Sequence, residues 1–223
     1  MSQKFISKKK NILLKKYLYV LAINISSLYL FFKITENVVE NGLVTKLDML
    51  INGKIVLLWD SLQNKIMIFI TNIGSQNNLL ILLLILFGVL VYKKKWHYSL
   101  LLLFSMIGGV ILTVLTKIII HRARPENALI EVSGYSSPSG HATMAILFFS
   151  LLIYLFKDTL KSKTARYSFI IGNIMLFLGI GFSRIYLNVH WLSDVIGGFL
   201  LGLFWLTLLL LIFKIITSFS KKT

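Results

Sequence analysis

Two histidines and one carboxylate are the residues of this chain best suited to covalent chemistry. His141 and His190 are types that titrate near neutral pH, and Asp194 follows His190 by four residues. In a helix that begins by His190, the Asp194 carboxylate can accept a hydrogen bond from one ring nitrogen. That contact leaves the other nitrogen free as a nucleophile and stabilises the ring as it becomes positive. His141 can then protonate a leaving oxygen.

Basic side chains near these residues predict that the substrate is an anion. The candidate cations are Lys117, Arg122, Arg124 and Arg184. Ser139 and Gly140 follow Pro138 at a predicted helix start, where free N–H groups and a partial positive charge favour an anion. A phosphate monoester carries a charge of about −1.5 to −2, which three fixed cations match. The whole set predicts metal-free phosphoryl transfer, in which positioning and charge stabilisation carry most of the rate.

Each of these residues, taken alone, has a simpler interpretation. Lys117 near the end of an apolar run is typical of a snorkelling anchor. Ser139 alone could be only a helix cap. His190 and Asp194 alone could be a structural polar pair. The joint spacing of all of them in one chain favours the functional interpretation.

Other polar residues near the candidate site have weaker claims. His121 and Arg122 are predicted to be loop or headgroup contacts, and Glu126 and Glu131 are predicted to lie on a solvated loop. With Asp194 engaged by His190, no pair of carboxylates remains that would suit a metal. We therefore predict neither a metal nor another cofactor.

The composition predicts that membrane-spanning helices hold these residues. Hydrophobic residues make up 57% of the 223 and charged residues 14%, against about 45–50% and 25% in a soluble domain. This high hydrophobic content and low charge exclude a disordered chain, a coiled coil and an ordinary cytosolic enzyme. The absence of cysteine excludes disulfides and thiolate chemistry. The net charge of +16 would suggest nucleic acid in a soluble chain, but cytoplasmic membrane loops explain it here.

The hydrophobic runs predict one all-α domain, residues 1–223, with six transmembrane helices. The predicted spans are residues 12–32, 75–92, 98–120, 140–157, 167–184 and 192–216, with an external amphipathic segment at residues 34–74. The second span has only 14 apolar or small residues, Leu79–Tyr92, so it must begin near Gly74–Asn78 to cross. The Gly198-x-x-x-Gly202 motif predicts helix packing.

The distribution of charge predicts the orientation. With both termini in the cytoplasm, 16 basic residues and one acidic residue lie inside, which leaves eight basic and seven acidic residues outside. Such asymmetry follows the positive-inside rule. Because two spans separate the two polar segments, 121–141 and 183–194, both segments face the same side, and the charge count makes that side external.

Three motifs in the chain resemble the type 2 phosphatidic acid phosphatase superfamily, the lipid phosphate phosphatases. The family motifs are K-x6-R-P, P-S-G-H and S-R-x5-H-x3-D. Here they read Lys117 to Pro125, Pro138 to His141 and Ser183 to Asp194, and every signature position matches. The chain is similar to the phosphatidylglycerophosphatase B-like and undecaprenyl-pyrophosphatase-like bacterial branch.

The resemblance implies a role for each motif residue. His190 would be the nucleophile that forms a phosphohistidine, Asp194 would orient it, and His141 would be the general acid. The residues that would bind the phosphoryl oxygens are Lys117, Arg124, Ser139, Gly140 and Arg184. The resemblance also implies a six-helix bundle in the bacterial plasma membrane, an external active site and hydrolysis without a metal.

The expected substrate is a membrane lipid in the bilayer, not a nucleic acid. Within the family the candidates are phosphatidylglycerophosphate, phosphatidic acid and undecaprenyl pyrophosphate. Two alternatives remain open. A lipid phosphotransferase would use the same phosphohistidine with an alcohol in place of water. A transporter of a phosphorylated solute would use the cations as a binding site, but transporters usually place such sites near the midplane between repeats, and this chain has no visible repeat.

Overall fold

Eight helices make up the protein in a computed structural model that describes residues 3–219. The helices are α1 (Gln3–Val39), α2 (Leu43–Val56), α3 (Ser61–Ile73), α4 (Gln76–Tyr92), α5 (Trp96–Ile120), α6 (Gly140–Phe156), α7 (Lys163–Tyr186) and α8 (Leu192–Phe219). No strand occurs within residues 3–219. The prediction of an all-α protein is confirmed.

Four of the helices are long and apolar enough to cross a membrane. These candidate spans are Tyr17–Val39, Trp96–Ile120, Lys163–Tyr186 and Leu192–Thr217. Helices α3 and α4 together pass the same test as a pair bent by 43°, which makes a fifth crossing if the pair is one span. Helix α6 is apolar but has only 17 residues. The structure therefore contains four or five candidate spans by length and composition, where the sequence predicts six.

The predicted external amphipathic segment, residues 34–74, is largely helical. Helix α1 does not end near residue 32 but continues to Val39, and Lys33 and Glu36 form an ion pair of 2.7 Å one turn apart within it. Opposite charges at this spacing support a helix. The chain turns at Asn41, which has a positive φ of 54°, and α2 and α3 follow. Asp60 caps α3 by accepting a hydrogen bond from the Leu62 N–H at 3.0 Å.

The second predicted span begins near Gly74–Asn78, as the thickness of a membrane requires. Helix α4 starts at Gln76, and the hydroxyl of Ser75 accepts a weak hydrogen bond from Asn78 N–H at 3.4 Å. The break before it is only Gly74 and Ser75. Because α3 lies directly before this break, the apolar run of α4 is extended by a helix at an angle and not by a straight continuation.

Helix α6 lies at the centre of the bundle and packs against α5, α7 and α8. Its buried side chains include Ala145, Leu147, Phe148 and Leu151, which belong to the main hydrophobic core. Helix α1 packs along α8, where the Asn24 amide donates to the Thr207 hydroxyl at 2.9 Å. The central position of α6 fixes the place of its first residues, which carry the second motif.

The backbones of α6 and α8 approach each other closely at two glycines. A Cβ at Gly198 would lie 2.6 Å from the carbonyl oxygen of Ser139, and one at Gly202 would lie 2.9 Å from that of Thr143. Side chains do not fit at either position without a shift of backbone. The prediction that Gly198 and Gly202 serve helix packing therefore agrees with the structure.

Alanine at Gly198 is expected to destabilise the protein by about 1–3 kcal/mol, the usual cost of overpacking. Gly172 on α7 is the matched control, since nothing lies within 4 Å of its Cβ position. Because alanine is the better helix former, Gly172→Ala should leave the protein equally or slightly more stable. Thermal unfolding of both variants in one detergent measures the difference. Equal unfolding temperatures would contradict the close packing.

Candidate active site

The two polar segments predicted to carry the chemistry lie against each other. The Leu129 N–H donates to the Leu187 carbonyl at 3.0 Å, and the Ser139 N–H donates to the Asp194 carbonyl at 2.9 Å. These bonds join the α5–α6 loop to the turn after α7 and to the first turn of α8. The start of α6, the end of α7 and the start of α8 therefore meet at one end of the bundle.

His190 and Asp194 are neighbours, although not through a shared helix. Helix α8 begins at Leu192, two residues after His190, so the assumption of a helix starting by His190 is wrong. A tight turn makes the pair instead, because the Trp191 N–H donates to Asp194 Oδ2 at 3.0 Å. The same oxygen lies 3.5 Å from His190 Nδ1. This separation is longer than an ordinary hydrogen bond, and Nδ1 has no other partner.

The opposite ring nitrogen of His190 faces a cation. Arg124 Nη1 lies 3.3 Å from His190 Nε2 and also donates to the Val189 carbonyl at 2.8 Å. Since a guanidinium can only donate, Nε2 is the acceptor and the ring proton is assigned to Nδ1, toward Asp194. This tautomer leaves the Nε2 lone pair on the side of the basic residues.

His190 is held in its neutral form by its surroundings. Its side chain is 3% exposed, and burial lowers its pKa to about 4, with Arg184 and Lys117 acting in the same direction and Asp194 opposing them. The neutral ring is the nucleophilic form. A nucleophile with this pKa is ready at pH 7 and is lost only when the pH falls through about 4.

A histidine titration by NMR tests this. The chain has four histidines, and the spectrum of His190→Gln identifies the signal of the buried one. We expect that signal to remain in the neutral position from pH 8 to pH 5.5, where an ordinary histidine is already mostly charged. A midpoint near 6.5 for His190 would contradict the effect of burial.

Two of the predicted phosphate-binding cations hold the neighbouring loop. Arg124 donates from Nε to the Gly134 carbonyl at 2.8 Å and from Nη2 to the Ser133 carbonyl at 3.0 Å. Lys117 Nζ donates to the carbonyls of Tyr135 and Ser136. Burial lowers the pKa of the Arg124 guanidinium from its ordinary value. Both residues are placed at the site as predicted, with most of their donors on backbone oxygens.

Arg184 differs from these two because it keeps an unused donor. Its Nη1 donates to the Thr71 hydroxyl of α3 at 2.8 Å, but its buried Nε has no partner. A buried guanidinium with a free N–H is costly unless something fills that place. Arg184 is thus the predicted cation best prepared to receive an oxygen. The sequence did not indicate the contact with Thr71.

The prediction for Arg122 as a loop or headgroup contact is wrong. Its Nη1 donates to Asp194 Oδ1 and to the Ser193 hydroxyl, both at 2.7 Å, while Nη2 donates to Asp48 Oδ2 at 2.7 Å. Arg122 is therefore a buried ion-pair partner of the carboxylate beside His190. Asp48 lies on α2, and its only signal in the sequence is an acidic residue within an apolar stretch. His121 does contact the loop, with its ring 4.5 Å from that of Tyr135.

An apolar cavity of about 360 Å³ opens beside the histidine at the start of α6. It lies between α4, α5 and α6, and its lining includes Leu79, Leu83, Met106, Val110, Gly140 and His141. Arg184, Arg124 and Lys117 lie near enough for their positive charges to act on His141. His141 therefore lines the apolar cavity and also lies within range of the cations.

Nothing within residues 3–219 brings three histidine or carboxylate side chains together as ligands of a metal ion. The assignment of metal-free chemistry stays a prediction from the sequence.

Comparisons with known proteins agree on one family. The PAP2 superfamily model matches residues 98–217. Phosphatidylglycerophosphatase B of Bacillus subtilis is 34% identical over 200 residues, covering 88% of this chain and 94% of the relative. The undecaprenyl-diphosphatase of Sulfolobus acidocaldarius is 28% identical over 196 residues, covering 84% of this chain and 87% of the relative.

Solved structures agree with the fold. The crystal structure of a transmembrane PAP2-type phosphatidylglycerolphosphate phosphatase from Bacillus subtilis superposes with a TM-score of 0.74 at 29% identity, covering 89% of this chain and 96% of that one. Aquifex aeolicus LpxE has a TM-score of 0.59 at 24% identity, covering 74% of this chain and 93% of that one, and supports the fold alone.

Proposed function

This chain belongs to the PAP2 superfamily, and from that membership we propose that it hydrolyses a phosphate monoester or pyrophosphate carried by a membrane lipid. One observation carries the proposal. The cationic cluster around His190 and the apolar cavity of about 360 Å³ meet at His141. A lipid phosphate has the same two parts, a charged group joined to a long apolar tail. The cluster would take the phosphate while the cavity, which lies between helices, would take part of the tail.

The proposed reaction has two steps. The Nε2 lone pair of His190 attacks phosphorus, the bond from phosphorus to the leaving oxygen breaks, and His141 gives that oxygen a proton. A phosphohistidine and the dephosphorylated lipid result. Water then attacks the phosphohistidine while His141 takes back a proton, and inorganic phosphate leaves. Asp194 stabilises the ring of His190 while it carries positive charge.

The phosphoryl oxygens would be held by donors of the motif residues that surround His190. Arg184 offers its unpartnered Nε, and the start of α6 offers the N–H groups around Gly140. Lys117 and Arg124 add positive charge, and Ser139 caps α6 beside them. An incoming phosphate would attract the Arg124 guanidinium away from His190 Nε2, because the contact between them, at 3.3 Å, is long for a hydrogen bond.

The proposal includes the predicted placement in the membrane. Helix α6, a 17-residue helix enclosed by its neighbours, would be the fourth of six crossings, and residues 1–223 would form one domain. Both termini would lie in the cytoplasm of a bacterial plasma membrane, and the site would face outside. The charge asymmetry supports this orientation. The contacts between the α5–α6 loop and the region that joins α7 to α8 support placing both polar segments on one side.

Phosphate release by the purified protein in detergent, with a strong chelator present, tests the function. The panel consists of phosphatidylglycerophosphate, phosphatidic acid and undecaprenyl pyrophosphate. We expect release from at least one lipid, undiminished by the chelator. Loss of activity that magnesium restores would contradict the metal-free assignment. Transfer of the phosphate to an added alcohol in place of release would identify a phosphotransferase.

A further inference from the structure

The carboxylate beside His190 is part of a longer buried chain of charges. Asp194 is bound by Arg122, and Arg122 is bound in turn by Asp48. The Asp48 side chain is 2% exposed and accepts from the Ser193 N–H at 2.9 Å through Oδ1. Through Oδ2 it also accepts from the Ser193 hydroxyl. Asp48 is therefore fully engaged, and both of its partners touch or adjoin Asp194.

The balance of charge among Asp48, Arg122 and Asp194 explains why a second carboxylate is useful. Arg122 and Asp194 alone would form a neutral pair, which would stabilise a positive ring on His190 only weakly. With Asp48 on the far side of Arg122, the three groups carry a net charge of −1. When His190 gains positive charge during phosphoryl transfer, the four groups together become neutral. A buried cluster that approaches neutrality as the reaction proceeds favours the charged intermediate.

The other charged groups near His190 make this contribution larger. Those acting on His190 or His141 from the neighbouring elements are Lys117 of α5, Arg124 of the loop and Arg184 of α7, and all three are cations. They suit a phosphate but oppose positive charge on the imidazole. Asp194 supplies the opposing negative charge, and Asp48 prevents Arg122 from cancelling it.

Helix α2 holds Asp48 in place through further contacts on the same face. One turn after Asp48, the Asn52 side chain contacts Asn188 in the turn before His190. Ile55, one turn further, packs with Ala142, Ile185 and Val195. The opposite face of α2 is exposed. Asp48 is thus presented by a helix seated directly on the α7–α8 turn.

We propose that Asp48 is a positioning residue for catalysis: by neutralising Arg122 it leaves the negative charge of Asp194 available to His190. The inference rests on the proposed function and deepens it. Asp48 does not touch the substrate in this account. It acts through Arg122 and Asp194.

Asp48→Asn removes the charge and keeps the shape. We expect kcat for phosphate release to fall about 10- to 100-fold, the range found for residues that orient metal-ligating side chains, with KM changed little. Asp158→Asn makes the same chemical change at a site that is 75% exposed, and it should leave both constants unaltered. Unchanged kcat in Asp48→Asn would overturn the proposal.

A double variant separates charge from packing. Asp48→Asn combined with Arg122→Gln returns the cluster to a net charge of −1, carried by Asp194. We expect the double variant to be more active than Asp48→Asn alone. If Asp48 served only to pack α2 against Ser193, adding Arg122→Gln would lower the activity further, and that result would also overturn the proposal.

Two controls keep the outcome interpretable. Thermal unfolding in detergent identifies a variant that is not folded. If Asp48→Asn is not folded, the double variant is compared with Asp194→Asn, and we expect the double variant to be the more active of the two. Equal activity would reject the proposal. His190→Ala is measured in parallel: activity in that protein would reject the proposed function itself, whereas an inactive His190→Ala beside a fully active Asp48→Asn would reject only the role of Asp48.

Discussion

Replacing His190 with alanine is expected to abolish phosphate release, with kcat falling by about 10⁴-fold or more, as when a covalent nucleophile is removed from other enzymes. The reason is that no other group in the cluster has a lone pair free to form a bond to phosphorus. Arg124, Arg184 and Lys117 are protonated, and His141 is needed for the proton of the leaving oxygen. Phosphate release at saturating lipid measures the effect.

The control for this variant is another histidine. His97→Ala, at the start of α5 and far along the chain from the motifs, should retain full activity. Equal unfolding temperatures for the two variants and the unmodified protein would show that loss of activity is not loss of fold. An active His190→Ala protein would mean that the nucleophile lies elsewhere.

Asp194→Asn is expected to reduce kcat by about 10⁴-fold, the loss seen when an orienting carboxylate becomes an amide. Asparagine preserves the size of the side chain but not its charge. It also brings an NH₂ group toward either Arg122, which donates at 2.7 Å, or the Trp191 N–H, which donates at 3.0 Å. The donor that meets this NH₂ loses its acceptor, and His190 loses the charge that supports its positive form.

Asp158→Asn is again the matched control, because Asp158 is exposed at the opposite polar end, between α6 and α7. Single-turnover rates are the better readout for Asp194→Asn, since they isolate the attack of His190 from product release. A variant that retained more than about a tenth of the normal rate would show that His190 acts without its carboxylate, contrary to the loss expected of an orienting group.

The sequence predicted the residues that meet at the site because they lie in short motifs. Ser139, Gly140 and His141 stand at a helix start, and Asp194 lies four residues from His190. Residues this close in the sequence stay close in space however the helices pack. Even the wrong assumption that a helix begins by His190 did not matter to the pairing, since the turn closed by the Trp191 N–H brings the same two side chains together.

The contacts that the sequence did not reveal join residues distant in the chain. Arg122 and Asp48 are separated by 74 positions and Arg184 and Thr71 by 113. Their pairing depends on how α2 and α3 pack onto the bundle, which no periodicity in a single chain encodes. The same holds for the apolar cavity, which exists only where α4, α5 and α6 leave space between them.

The length of α1 and the bend between α3 and α4 show a second limit. A charge in a hydrophobic run predicts the end of a span, but Lys33 and Glu36 neutralise each other within the helix. Hydropathy measures each residue by itself and does not count such pairs. Similarly, hydropathy predicts that the short apolar run of α4 is one straight span. In the structure α3 precedes it, and the two helices are bent by 43° relative to each other.

The central claim is that phosphate passes through His190, and trapping the intermediate tests it most directly. The protein is mixed with ³²P-labelled lipid phosphate in the presence of chelator, stopped within one turnover by alkaline denaturant, and digested for peptide mapping. We expect base-stable, acid-labile label on the peptide that contains His190, and none in His190→Ala. Product formed at the normal rate with no label on that peptide, or label on another residue, would contradict the account.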